Sequence, residues 1–136
     1  MSSLLPLPKV VWVGTALALS WIVVICVLIV LEPRSGRPSV DELAGATERA
    51  LRSGDADAFS TLVNPSAGSD YAAQYLATAP QDPQLVTRVE DIEDLTVIVA
   101  RARSERGLTC TSWRVQRLEK RYVLNPSVLS TPDLCQ

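Results

Sequence analysis

Histidine is absent from this 136-residue chain. That removes imidazole general acid-base catalysis, Ser-His triads and ordinary His-ligated metal sites from the chemistry open to it. Cys26, Cys110 and Cys135 lie too far apart for a Cys-x-x-Cys redox pair, and there is no Gly-rich phosphate loop. Aromatic side chains make up only 5% of the residues, with a single Phe, three Trp and three Tyr. A buried tyrosine is far more often core than catalytic, so no catalytic, cofactor-binding or metal-ligating residue is expected and the chain reads as a non-enzyme. Lysine is scarce too: eleven of the thirteen basic residues are Arg, and only Lys9 and Lys120 are Lys. With Ala and Val plentiful, that balance fits a GC-rich bacterial source. A net charge of -2 gives no reason to expect nucleic acid as a partner.

What is abundant is apolar sequence, and it is unevenly placed. No charged residue interrupts Val10 to Leu31, and such a helix, rising about 1.5 Å per residue, would span roughly 33 Å, enough for a hydrocarbon core. Residues 10–31 are therefore expected to form one transmembrane helix, preceded by a short cytoplasmic segment, 1–9, and followed by a linker, 32–38 ("EPRSGRP"). The run is longer than a signal-peptide core and no small-x-small cleavage site follows it. Ile25 before Cys26 does not suit lipoprotein processing, which wants a small residue there. Within the helix Gly14, Ala18, Trp21, Ile25 and Leu28 recur at steps of four and three along one seam. Such a seam suits a partner helix, either from another integral membrane protein or from a second copy; a plain lipid-facing anchor is the plainer reading.

Two signals disagree about sidedness. Arg34 and Arg37 after the helix outnumber Lys9 before it, which favours a cytoplasmic C-terminal part. Cys110 and Cys135 argue the other way, since a disulfide would pin a tail otherwise prone to fray, would stabilise the fold by about 3 kcal/mol, and would persist only outside the reducing cytosol. The alternative is two unpaired thiols. The expectation adopted is pairing, and with it an extracytoplasmic domain over residues 39–136.

Helical signals come first in that domain. Ser39 and Glu42 have capping-box spacing, and Val40, Leu43, Ala44, Thr47, Ala50 and Leu51 mark an amphipathic helix that Gly54 stops. Asp55 can cap a second helix, "ADAFSTLV", that ends at Asn64-Pro65. A third, capped by Ser69 or Asp70, carries Tyr71, Ala72, Tyr75 and Leu76. Strands follow in alternating or continuous apolar runs from Leu85 to Glu90, Leu95 to Ala100, "LTCTSWRVQRL" and "RYVLN". Turns centred on Glu105-Arg106 and Glu119-Lys120 would set Ile98 opposite Trp113, Val115 opposite Leu124 and Cys110 opposite Arg101. One face would then gather Ile98, Ala100, Thr111, Trp113, Val115, Tyr122 and Leu124. The other would gather Val97, Val99, Arg101, Arg103, Cys110, Arg114, Arg121 and Val123, and a one-residue slip would exchange the two. The expected fold is α+β, with two to three helices on a curved antiparallel sheet of about four strands.

The segment "ALRSGDADAFSTLVNP", followed by a short helix and by strands containing "SWRVQRLEKRYVL", resembles the nuclear-transport-factor-like (cystatin-like) fold over Val40 to Asn125. With a membrane helix ahead of it, the whole chain is similar to actinobacterial single-pass envelope proteins such as the mammalian-cell-entry-associated membrane proteins. The resemblance implies an extracytoplasmic accessory or assembly subunit of a membrane complex in the bacterial cytoplasmic membrane. A second reading, of another class, is a tethered lipid- or small-molecule-binding domain, with a helix–sheet pocket lined by Phe59, Tyr75 and Trp113.

Charge separates the domain into two halves. From Asp41 to Asp94 eleven acidic residues stand against three basic, whereas from Arg101 to Arg121 seven basic stand against two acidic. Arg101, Arg103, Arg114 and Arg121 are expected on one sheet face, where guanidinium forks suit a carboxylate-bearing protein or anionic lipid headgroups. An edge solvated or paired with local carboxylates is the plainer reading. "VEDIEDL" lacks EF-hand spacing and its glycine, so it reads as a strand end or turn. The two "NPS" triplets, at Asn64 and Asn125, read as turns.

Overall fold

Capping and turn chemistry set most element boundaries in the computed structural model, which describes residues 9–31, 34–129 and 132–135. The expected cytoplasmic segment falls, apart from Lys9, outside the described residues. The chain divides into two units between Pro33 and Arg34. The first contains α1, Lys9–Leu31, one helix long and apolar enough to cross a membrane. Its described side chains are exposed, Trp21 at 67% and Leu28 at 62% among them, and nothing lies within 4 Å of a Cβ built on Gly14.

In the second unit the Ser39 hydroxyl accepts from the Glu42 N–H at the start of α2, Val40–Ser53, and Gly54 closes that helix at φ 65°. Asp55 caps α3, Ala56–Ser60, through the Ala58 N–H. This helix is shorter than the sequence pattern implies, because Leu62 and Val63 leave it to bridge Leu124 with backbone bonds of 2.8 and 2.9 Å made by Leu62 and Asn64. At Asn64 and at Asn125 the side chain accepts from the N–H two residues on; Asn64 caps a short 3-10 turn, Pro65–Ala67, whereas Asn125 to Ser127, expected as a turn, lies within the fourth strand. The last helix, α4, covers Tyr71–Thr78.

A meander follows: β1 Val86–Ile92, β2 Leu95–Ser104, β3 Gly107–Leu118 and β4 Arg121–Leu129, antiparallel and in sequential order. Two-residue turns link them, and Glu93 and Glu119 adopt φ 54° and 57°, the left-handed geometry that matches strand twist. The pairs Ile98–Trp113, Arg101–Cys110 and Val115–Leu124 form as expected. The fourth strand runs further than expected, to Leu129, because Asn125, Pro126 and Ser127 bulge opposite Arg114 before pairing resumes at Val128. Proline, which has no N–H to give a ladder, is tolerated there.

The fold is thus α+β with a curved four-stranded sheet. On its inner face Ile98, Ala100, Ala102, Trp113 and Leu124 pack beneath Leu43, Leu51, Phe59 and Leu76 of the helices. The stretch expected as a linker is partly built into this unit: Gly36 N–H donates to Thr61, and Arg37 exchanges two backbone bonds with Tyr122. Gly36 sits at φ 84°, and a Cβ there would lie 2.4 Å from the Tyr122 carbonyl oxygen.

Candidate functional site

The three residues expected to line a pocket do converge, brought together by α3, α4 and β3. Phe59, Tyr75 and Trp113 have ring centroids 5.3 to 5.9 Å apart, and Tyr71 stacks on Tyr75. They fill the space between helices and sheet: Phe59 and Trp113 are fully buried. Their polar ends are used internally, with Trp113 Nε1 donating to the Tyr71 hydroxyl and that hydroxyl donating to the Pro126 carbonyl in the β4 bulge. The recess beside Tyr75, bounded by Leu51, Leu85, Ala102 and Thr111, has a volume of about 10 Å³, near the minimum for one water. Burial raises the Tyr75 phenol above its ordinary value, against the lowering effect of its hydrogen bond with Thr111. The phenol is thus held in its neutral form, packed against the buried core.

On the opposite sheet face the register aligns all four candidate arginines. Their surroundings differ. Arg101 is half-buried and donates to the Leu134 carbonyl at 3.4 Å. Arg114 keeps its Nε buried without a hydrogen-bond partner among the described residues. Arg121 donates to the carbonyls of Ser35 and Gly36, at 3.2 and 2.7 Å. Arg103 alone of the four is exposed. Arg101 and Arg121 therefore fasten the domain's own backbone, and Arg103 is left exposed.

Cys110 and Cys135 form a disulfide. It draws the 3-10 turn Pro132–Cys135 across the outer face, where Leu134 packs on Val97 and Val99. Cys26, on α1, is a free exposed thiol.

Two clusters went unnoticed in the sequence. Glu48 accepts from the N–H and hydroxyl of Thr87 and pairs with Arg52 at 2.8 Å, while Arg52 donates to the Leu85 carbonyl. The four-residue spacing of Glu48 and Arg52 was a legible helix-surface signal, but their grip on β1 was not. Asp82 accepts from the N–H groups of Arg103 at 2.6 Å and Gln84 at 2.8 Å, capping β2 where β1 no longer covers it. Those bonds, that of Arg103 foremost, hold its carboxyl below the usual carboxylate range.

Among the described residues no cluster of Cys, Asp and Glu has the makings of a metal site. No protein-family model, curated protein or solved structure matches the chain, so the functional reading rests on this geometry.

Proposed function

We propose that the chain is a single-pass membrane protein whose small α+β domain acts, outside the cytoplasm, as a non-catalytic accessory or assembly subunit of a bacterial cell-envelope complex. The observation that carries this reading is the filled interior. With Phe59, Tyr75 and Trp113 packed together and a recess of only about 10 Å³ beside them, function falls to the outside of the domain and to α1. The disulfide supports an oxidising compartment, hence the extracytoplasmic side. The same filled interior weighs against a tethered small-molecule carrier, because a pocket for a ligand occupies roughly 300–1,000 Å³.

The partner is a membrane or envelope protein bearing an acidic patch, met by Arg103 and by the seam of Gly14, Ala18, Trp21, Ile25 and Leu28. Self-association through Gly14 and Ala18 is the homo-oligomeric version of that contact. Arg103→Glu is expected to reduce co-purification of a membrane partner at least tenfold from mild detergent while the domain keeps its melting temperature. Arg103→Ala serves as the control that adds no negative charge beside Asp82. Full retention of the same partners by both variants would remove the arginine face from the proposal.

A further inference from the structure

The corner where the chain enters the second unit carries two cations, Arg34 and Lys120, that neither the fold nor the arginine face accounts for, next to Arg121. Arg34, Pro38, Glu119, Lys120 and Arg121 line an open groove of about 440 Å³. Its base is rigid: Arg121 is held by the Ser35 and Gly36 carbonyls, and the Arg37–Tyr122 bridge ties the connector to β4. Its rim is available: Arg34 and Lys120 are exposed, and neither enters an ion pair among the described residues. Three cations thus face one carboxylate, Glu119, in the tight turn before β4.

We propose that Arg34, Lys120 and Arg121 bind the headgroup phosphate of an anionic phospholipid in the bilayer that α1 enters. The inference rests on reading α1 as a membrane helix. Chain length selects the occupant. Arg34 follows the last residue of α1, Leu31, by three positions, and three residues span at most about 11 Å. That is close to the Debye length of roughly 8 Å over which an anionic leaflet attracts basic side chains. A soluble acidic protein has no comparable covalent reason to meet this corner.

The full chain, reconstituted in vesicles of phosphatidylcholine with or without phosphatidylglycerol, provides the test through amide hydrogen exchange at residues 34–37 and 119–122. Phosphatidylglycerol should slow exchange there by roughly fivefold for each cation engaged. High salt should reverse the slowing, and Arg34→Gln with Lys120→Gln should lose it. Equal exchange in both lipids, with α1 amides protected, overturns the headgroup site and leaves the membrane reading intact. Unprotected α1 amides would instead overturn the membrane reading, and this proposal with it. Equal slowing by inorganic phosphate in vesicles of phosphatidylcholine alone would mark a small-anion site and also overturn the headgroup assignment.

Discussion

Trp113 and Cys110 stand three residues apart on β3, on opposite faces of one sheet, and the two faces are closed by different means. Around Trp113 closure is by packing: sixteen buried residues, drawn from the helices, the segments between them and the strands, form one cluster with aromatic rings at its centre. Around Cys110 the buried cluster has three members, Val97, Val99 and Leu134, and closure depends on fastening. The disulfide holds the exit segment over Val97 and Val99, while at the entry Gly36 lies close against Val123 and Arg121 binds the connector's carbonyls. A face covered by whole helices can spare little side-chain volume before it leaves a void. A face covered by two short segments is only as stable as their attachments.

The contrast makes a quantitative prediction. Trp113→Ala should destabilise the second unit by about 3–5 kcal/mol, a large share of the roughly 5–15 kcal/mol typical of a domain. Chemical denaturation of the full chain in detergent, followed by far-ultraviolet circular dichroism, should show the midpoint falling steeply, or no cooperative transition at all. A loss under about 1 kcal/mol would mean that the aromatic cluster is not the core it is described as.

Opening the other face should cost less. Replacing both Cys110 and Cys135 with Ser should lower stability by about 3 kcal/mol, chiefly by freeing a loop of 25 positions in the unfolded chain. The disturbance should stay local, with amides of β2 and β3 beside Val97, Val99 and Ser112 exchanging faster while those under α2 keep their relative protection. In membranes from the source cells, mass-adding maleimide should label these two cysteines only after reduction. Labelling without reduction in the denatured protein would remove both the fastening and the argument for an oxidising compartment.

The inner face was the more legible in the sequence, and the reason is locality. Ser39, Gly54 and Asp55 act on residues within four positions, and two-residue turns fix the register of the strands they join, so Ile98–Trp113 could be placed by counting. The outer face depends on long-range contacts that counting does not give. Arg121 reaches Ser35 across 86 positions, and Arg101 reaches Leu134 across 33. Both were expected to face a partner, because on a strand pattern an arginine that caps a carbonyl looks the same as one that meets solvent. The shortening of α3 and the bulge at Asn125–Ser127 have a similar origin, since Leu62 and Asn64 are drawn onto β4, and Tyr71 captures the Pro126 carbonyl. Phe59, Tyr75 and Trp113 lie together, but whether three rings line a pocket or fill one depends on distances that sequence does not carry.

Asp82 allows the finest test of the fastened face, because it caps the end of β2 where neither helices nor the disulfide reach. Folding lowers its pKa, so the deprotonated carboxylate is the form that the native state binds more favourably. Its contribution is complete above the unfolded carboxylate's value and disappears as pH falls through the lower folded value. Between those two values the wild type should lose stability on acidification more steeply than Asp82→Asn, and below both the curves should converge. At neutral pH the variant should be slightly less stable, since an amide oxygen accepts the Arg103 and Gln84 N–H groups without a full charge. The effect should be the smallest of the three, because the carboxylate is open to solvent. Parallel curves throughout the acid range would mean that Asp82 carries no pH-linked stability and that β2 is held at this end by strand pairing alone.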